Sequence, residues 1–338
     1  MDLSDLDYDL PADRIAQRPV SPRAASGLLV VRRGPGTLGD HGFRDLPELL
    51  AAGDRLGVND SRVVPARIYG RRRTGGRVEL LLLRREPGGD REALVRTNGS
   101  LRPGERLDLD GEASVTLVER PYRDAVWRVR PACAASLERA LERAGHVPLP
   151  PYVRRADTAQ DRERYQTVYA RPPGSAAAPT AGLHFTPEVL ERLRERGIAR
   201  TQVTLHVGYG TFQPIQVARV EDHRLHTEDF EVTGEAAAAI RERRGRLVAV
   251  GTTTARVLET LARSGGVRAA RGRTDLYLHP GRELRGVDVL LTNFHLPRSS
   301  LLLLVCAFAG RELVLEAYRH AIRGGYRFYS YGDAMLIL

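Results

Sequence analysis

Lysine is absent from this chain, and its 52 basic residues are all arginine. With abundant Ala and Gly, that absence reads as the codon bias of a GC-rich genome. The net charge of +10 and a pI near 10.1 therefore carry reduced weight as evidence for a polyanionic partner such as RNA. Cysteine is scarce too. Cys133 and Cys306 lie far apart and outside any Cys-x-x-Cys pattern, which argues against a disulfide framework and a zinc–thiolate site. Both read as buried small apolar residues. Long apolar runs are missing. The most apolar stretch, Leu301–Phe308, is far short of the roughly 20 residues of a membrane span. The first residues, Met1-Asp2-Leu3-Ser4-Asp5, are acidic, so no signal peptide is expected. The expectation is a soluble, cytoplasmic, monomeric protein without a membrane segment. The segment Arg246 to Arg256 is neither a Walker loop nor a Gly-x-Gly-x-x-Gly fingerprint, so it does not support a nucleoside triphosphate or NAD, and the chain shows no internal repeat.

What is present is enough apolar material, 42% of 338 residues, for two domains or for one domain with an insertion. Six short strands are expected at Val64–Arg71, Arg77–Arg85, Arg91–Thr97, Glu105–Leu109, Ala113–Glu119 and Ala125–Arg130. Turn signals such as Gly75-Gly76 and Asp110-Gly111 separate them. Near-regular spacing of this kind suggests a small closed barrel, followed by a helix at Ala134–Arg143 that stops at Gly145. The rest alternates. Strands are expected at Leu28–Arg33, Leu56–Asn59, Ile198–Val207, Arg246–Val250, Thr274–Leu278, Val287–Leu291 and near Arg327–Ser330. Helices are expected after Thr186-Pro187, at Glu235–Arg243 and Thr254–Arg263, and from Ser299 and Glu312. The fold class is α/β: a mostly parallel sheet with helices on both faces, carrying an inserted six-stranded β-barrel domain. The α/β domain takes residues 1–65 and 151–338, and the barrel takes 66–150. The barrel segment holds 17 Arg against 12 Asp and Glu, half of the net charge, so it is the better RNA-facing candidate, through Arg67, Arg71, Arg72 and Arg73.

Five of the nine histidines fall in four short segments, 179–185, 203–212, 221–228 and 291–297, beside glycine, threonine or a carboxylate where strand-like runs end. Folding does not require such crowding of titratable groups around turns, whereas a reaction site does. His223-x-x-His226-x-Glu228 has metal-like residue types. That spacing need not converge on one ion and no third histidine is obvious, so a hydrogen-bonded acid/base and binding cluster is the better reading. Val250-Gly251-Thr252-Thr253 joins a buried strand to a helix start, a place where α/β proteins bind anionic groups. The residues alone leave open a metal-dependent hydrolase and a non-catalytic RNA-binding protein.

Several segments together resemble one family. They are Asn59-Asp60-Ser61-Arg62-Val63-Val64-Pro65-Ala66-Arg67, Ala178 to Phe185, Val203 to Phe212, Val250 to Thr253, Leu291-Thr292-Asn293-Phe294-His295-Leu296-Pro297 and Tyr331-Gly332-Asp333-Ala334-Met335. They are similar, in this order and over nearly the whole chain, to the S-adenosylmethionine:tRNA ribosyltransferase-isomerases of queuosine biosynthesis. Departures are Tyr209 for a small residue, Thr254-Ala255 for Ser-Val, Gly27 for arginine and His279 for tyrosine. The resemblance implies an α/β domain with an inserted barrel. It implies a transferase that moves the ribosyl part of S-adenosylmethionine onto 7-aminomethyl-7-deazaguanine at the tRNA wobble position and isomerises it to epoxyqueuosine, while adenine and methionine leave. S-adenosylmethionine would be a cosubstrate; no other cofactor and no metal are expected. A paralogue acting on a free deazapurine or another RNA is an alternative.

That chemistry needs a base for the proton beside the sulfonium and an acid for the departing adenine, and histidine suits both near neutral pH. His184 and His206 are the first acid/base candidates, with His226 and His295 next. Candidates for holding substrate are Asp60, Arg62, Thr180, Gly182, Phe185, Gly208, Gly210, Glu228, Thr252, Thr253, Arg256, Asn293, Tyr331 and Asp333.

Overall fold

A computed structural model describes residues 1–86, 88–120, 126–208 and 215–338. Its strands are β1 (Gly27–Arg32), β2 (Thr37–Gly42), β3 (Arg55–Asn59), β4 (Arg62–Val63), β5 (Arg67–Arg72), β6 (Arg77–Arg85), β7 (Arg91–Thr97), β8 (Arg106–Leu109), β9 (Ala113–Glu119), β10 (Val126–Pro131), β11 (Pro173–Ser175), β12 (Ala199–Leu205), β13 (Glu228–Val232), β14 (Leu247–Val250), β15 (Ala270–Thr274), β16 (Val289–Asn293) and β17 (Ala334–Ile337). Its helices are α1 (Leu46–Leu49), α2 (Ala134–Ala144), α3 (Ala159–Arg164), α4 (Pro187–Glu195), α5 (Gly234–Arg241), α6 (Thr252–Arg263), α7 (Ser300–Ala309) and α8 (Arg311–Arg323).

Nine strands form one sheet in the order β15-β13-β12-β3-β14-β16-β17-β1-β2. Alternation along each strand splits its side chains between two cores. Leu247 and Ala249 of β14 join Ala255 and Leu258 of α6 and the apolar faces of α7 and α8. Val248 and Val250 meet Leu46, Val189 and Leu193 of α1 and α4 on the other face. Helices therefore cover both faces, as the α/β class requires. The sheet is mixed rather than mostly parallel. β12, β3, β14 and β16 run parallel, while β2, β13 and β15 pair antiparallel and β17 is antiparallel to β16. The reason at β17 is its connection. One helix returns the chain to the start of the next parallel strand, but two helices, α7 and α8, return it to the opposite end.

The barrel closes in the order β10-β7-β6-β5-β8-β9, all antiparallel, and α2 lays Leu137, Ala140 and Leu141 onto its core. Glycine sits where backbones touch: a Cβ on Gly70 would lie 2.3 Å from the Asp108 carbonyl oxygen.

Four expectations change. The last strand is Ala334–Ile337, not Arg327–Ser330, because Tyr329 takes φ 72° and ends any extended path there. The strand expected at Thr274–Leu278 lies at Ala270–Thr274, where pairing with β13 organises a polar Arg/Gly stretch. The edge strand β2, poor in apolar residues, and the short strand β13, between β12 and β15, were not foreseen. Cys133 is exposed at the start of α2, where no alternation points it inward; Cys306 is buried as expected. Among the described residues no helix is long and apolar enough to cross a membrane.

Candidate active site

Because β3, β12, β14 and β16 are parallel, their carboxyl ends share one edge, where α/β sheets bind ligands. Asn59 ties that edge together. Its Nδ2 donates to the Leu205 carbonyl at 3.0 Å and to Thr253 Oγ1 at 3.4 Å, while its Oδ1 accepts from the amides of Leu205 and Ser61. Gly251, at φ 88°, turns the chain from β14 into α6, so Thr252 and Thr253 open the helix at this edge.

Between the edge and the barrel lies a cavity of about 770 Å³. Its α/β wall includes Arg62, His206, Gly208, His226, Glu228 and Arg256. Its barrel wall is Leu82 to Arg85, Arg91 and Glu92, with Glu138 and Leu141 of α2 alongside. Six of the residues singled out from sequence are thus brought to one cavity.

His206 follows β12 directly, and its amide donates to the Asp229 carbonyl at 3.0 Å. Its ring lies against Gly174, where a Cβ would come within 3.0 Å of Nδ1. Nδ1 is buried and has no hydrogen-bond partner among the described residues. Burial lowers the imidazole pKa, against the opposing pull of Asp229 and Asp60, so the ring is neutral at pH 7 and ready to accept a proton. Asp60 accepts from Thr204 Oγ1 at 2.7 Å, and burial raises its pKa.

Glu228 and Arg256 form an ion pair with side chains only 4% and 5% exposed. The other Glu228 oxygen accepts from the Gly208 amide at 2.8 Å, and Arg256 also donates to the carbonyls of Leu276 and Thr274. Arg256 so engaged holds Glu228 and, through it, the Gly208 amide.

His184 and His295 do not line this cavity. His184 is buried against Phe43; Nδ1 meets Ser26 Oγ at 2.8 Å and Nε2 meets Asn293 Nδ2 at 3.2 Å. With Arg23, Tyr331 and Gly332 it borders a separate small crevice. His295 is buried, with Nε2 2.8 Å from Thr292 Oγ1 and its amide donating to Tyr318 Oη. Phe185 is core, edge-on to Phe43. Asp333 accepts from the Gly27 and Arg327 amides and from the Arg327 guanidinium. Tyr331 donates to Asp161, and Asn293 Nδ2 also reaches the carbonyls of Tyr329 and Asp333. Gly182 is demanded by packing, since a Cβ there would lie 2.2 Å from Tyr169 Oη, and half-buried Thr180 begins the same buried turn. These groups build the frame beside the cavity. Gly210 lies outside the described residues.

Burial holds His184 down to about 4 and His295 down to about 3, from 6.5. Both are neutral when folded. The stability this confers is complete above pH 6.5 and is lost as pH falls from 6.5 towards 4, by at most about 1.4 kcal/mol per histidine per pH unit. Urea melts of His295→Gln at pH 7.5 and 4.5 should show a shallower loss than the parent chain; an equal loss contradicts this reading.

Of the barrel arginines, Arg67 pairs with Glu79 and donates to the Leu149 carbonyl, and Arg72 pairs with Glu105 at 2.5 Å. Arg71 and Arg73 are exposed. Among the described residues no group of three His, Cys, Asp or Glu side chains could hold a metal ion. Sequence reading missed the barrel wall, Arg84, Arg85, Arg91 and Glu92. Its one signal was the run Leu81-Leu82-Leu83-Arg84-Arg85, which abandons strand alternation.

The profile of a family described as queuosine biosynthesis protein matches residues 3–337. An S-adenosylmethionine:tRNA ribosyltransferase-isomerase of Anaeromyxobacter sp. (strain K) is 54% identical, over 100% of this chain and 99% of its own length. One of the same name from Pelobacter propionicus is 50% identical, over 99% of each. The crystal structure of an S-adenosylmethionine tRNA ribosyltransferase from Thermotoga maritima aligns with a TM-score of 0.58 at 37% identity, covering 99% of this chain and 100% of that one.

Proposed function

This chain belongs to the queuosine biosynthesis protein family, and we propose that it is an S-adenosylmethionine:tRNA ribosyltransferase-isomerase. It moves the ribosyl part of S-adenosylmethionine onto 7-aminomethyl-7-deazaguanine at the tRNA wobble position and isomerises it to the epoxycyclopentane-diol of epoxyqueuosine. Adenine and methionine leave, and the cosubstrate is the only small molecule required. The observation that carries this reading is the cavity of about 770 Å³ with a neutral histidine in its wall. That volume suits a nucleoside and an acceptor base together.

The chemistry assigns the roles. The sulfonium acidifies the adjoining 5′ carbon, and His206 takes that proton. His226, across the same wall, protonates the departing adenine. Asp60 and Arg62 meet the ribose hydroxyls. Thr252 and Thr253, at the start of α6, hold the methionine carboxylate, where free amides favour an anion. Arg71 and Arg73 contact tRNA phosphates.

The test is mass spectrometry of anticodon nucleosides after incubating the protein with S-adenosylmethionine and tRNA carrying the aminomethyl base, with adenine measured alongside. The expected result is the epoxyqueuosine mass and adenine in equal amounts. Unchanged tRNA with no adenine refutes the reading.

A further inference from the structure

The barrel wall of the cavity has an irregularity that the reaction as described does not use. The β6–β7 register shifts between Leu82 and Arg85. A regular strand turns alternate side chains to opposite faces, yet Leu82, Leu83, Arg84 and Arg85 all border the cavity. A bulge re-aims side chains in this way. Arg84, so placed, donates through one Nη2 both to Glu86 and to Glu92 Oε1, the latter at 3.0 Å. Two carboxylates share one guanidinium, which leaves a negative charge uncompensated within that trio. Of the two carboxylates, Glu92 borders the cavity.

We propose that Glu92 is the specificity residue for the acceptor: its carboxylate receives the primary ammonium of the base from the barrel side and takes its proton before the amine attacks. This rests on the function proposed above. The balance is simple. One N–H bond breaks, one O–H bond forms on Glu92, and the ammonium and carboxylate become a neutral amine and a neutral acid. An alkylammonium with an ordinary pKa near ~10 needs such a partner to become a nucleophile at pH 7. Among the described residues the groups facing Glu92 are Arg84 of β6, Glu86 just after it, Arg128 opposite on β10, and His226 from the α/β wall. Burial raises the Glu92 pKa above the usual carboxylate range, which brings it closer to that of its proton donor.

The test compares the full-length chain with Glu92→Gln and Glu92→Asp. Binding is read first, without turnover. The parent should bind tRNA bearing the aminomethyl base about tenfold more tightly than tRNA with guanine at that position, and Glu92→Gln should bind both alike. In turnover, Glu92→Gln should lose about 10- to 100-fold in kcat/KM for tRNA, the size of a lost charged hydrogen bond. Its KM for S-adenosylmethionine should be unchanged. The deficit should narrow as pH rises from 7 to 9, where more of the amine is already neutral; a merely structural role would not produce this. Glu92→Asp should keep the discrimination in part. A parent that does not discriminate between the tRNAs, a Glu92→Gln that still does, or a loss of S-adenosylmethionine binding in Glu92→Gln overturns the proposal. A parent that discriminates but forms no product would count against the proposed reaction and leave the ammonium site standing.

Discussion

His206→Ala is expected to lower adenine release from S-adenosylmethionine by roughly 10²- to 10⁴-fold, the usual span for losing a general base. The expectation follows from three features held together. The backbone at His206 is held by the Asp229 carbonyl, and the ring packs against Gly174, where a Cβ would come within 3.0 Å of Nδ1. The residue borders the cavity, where a bound ligand can meet it. Its lowered pKa keeps it unprotonated at neutral pH. The sign for pH follows: the active form is the neutral imidazole, so activity should hold as pH falls towards 6.5 and decline only below it. Near-normal turnover in His206→Ala would remove His206 from the proton transfer and leave His226 as the cavity's remaining histidine.

Arg256→Met should be the most damaging change to the frame of the site. It removes the guanidinium paired with Glu228 at a position only 4% exposed, and breaking such a pair from one side costs about 3–5 kcal/mol. It also loosens the Gly208 amide that Glu228 holds, so the cavity wall moves with it. A thermal melt should fall by several degrees. The double change Glu228→Gln with Arg256→Met should recover much of that loss, because the buried carboxylate charge goes with its guanidinium. A melt unchanged in Arg256→Met, or a double variant worse than the sum of its parts, would show that the pair is not the support described.

Much of this architecture could be read from residues alone where local rules agree. The strands Arg77–Arg85, Arg91–Thr97 and Ala113–Glu119 emerge with the bounds expected from them, because apolar alternation and glycine turns point the same way. β2, β13 and β15 were missed or misplaced because their register comes from neighbours, β2 and β15 at the two edges and β13 beside one of them, a long-range influence absent from local pattern. The site divides along similar lines. Histidines at strand ends were legible as a group, yet four look alike in sequence. Only packing separates His206 and His226, which border the cavity, from His184, which Ser26 and Asn293 hold beside the small crevice, and His295, held by Thr292. The barrel wall was illegible because its role arises from a domain contact that joins residues more than 100 positions apart, Glu92 and His226 among them.

A crystal structure with S-adenosylmethionine bound tests the central claim most directly. The account places the nucleoside in the cavity between the barrel and the sheet edge, with the carbon beside the sulfonium about 3–3.5 Å from the His206 ring. A nucleoside seated instead in the crevice beside His184 and Tyr331, with the larger cavity vacant, would contradict it.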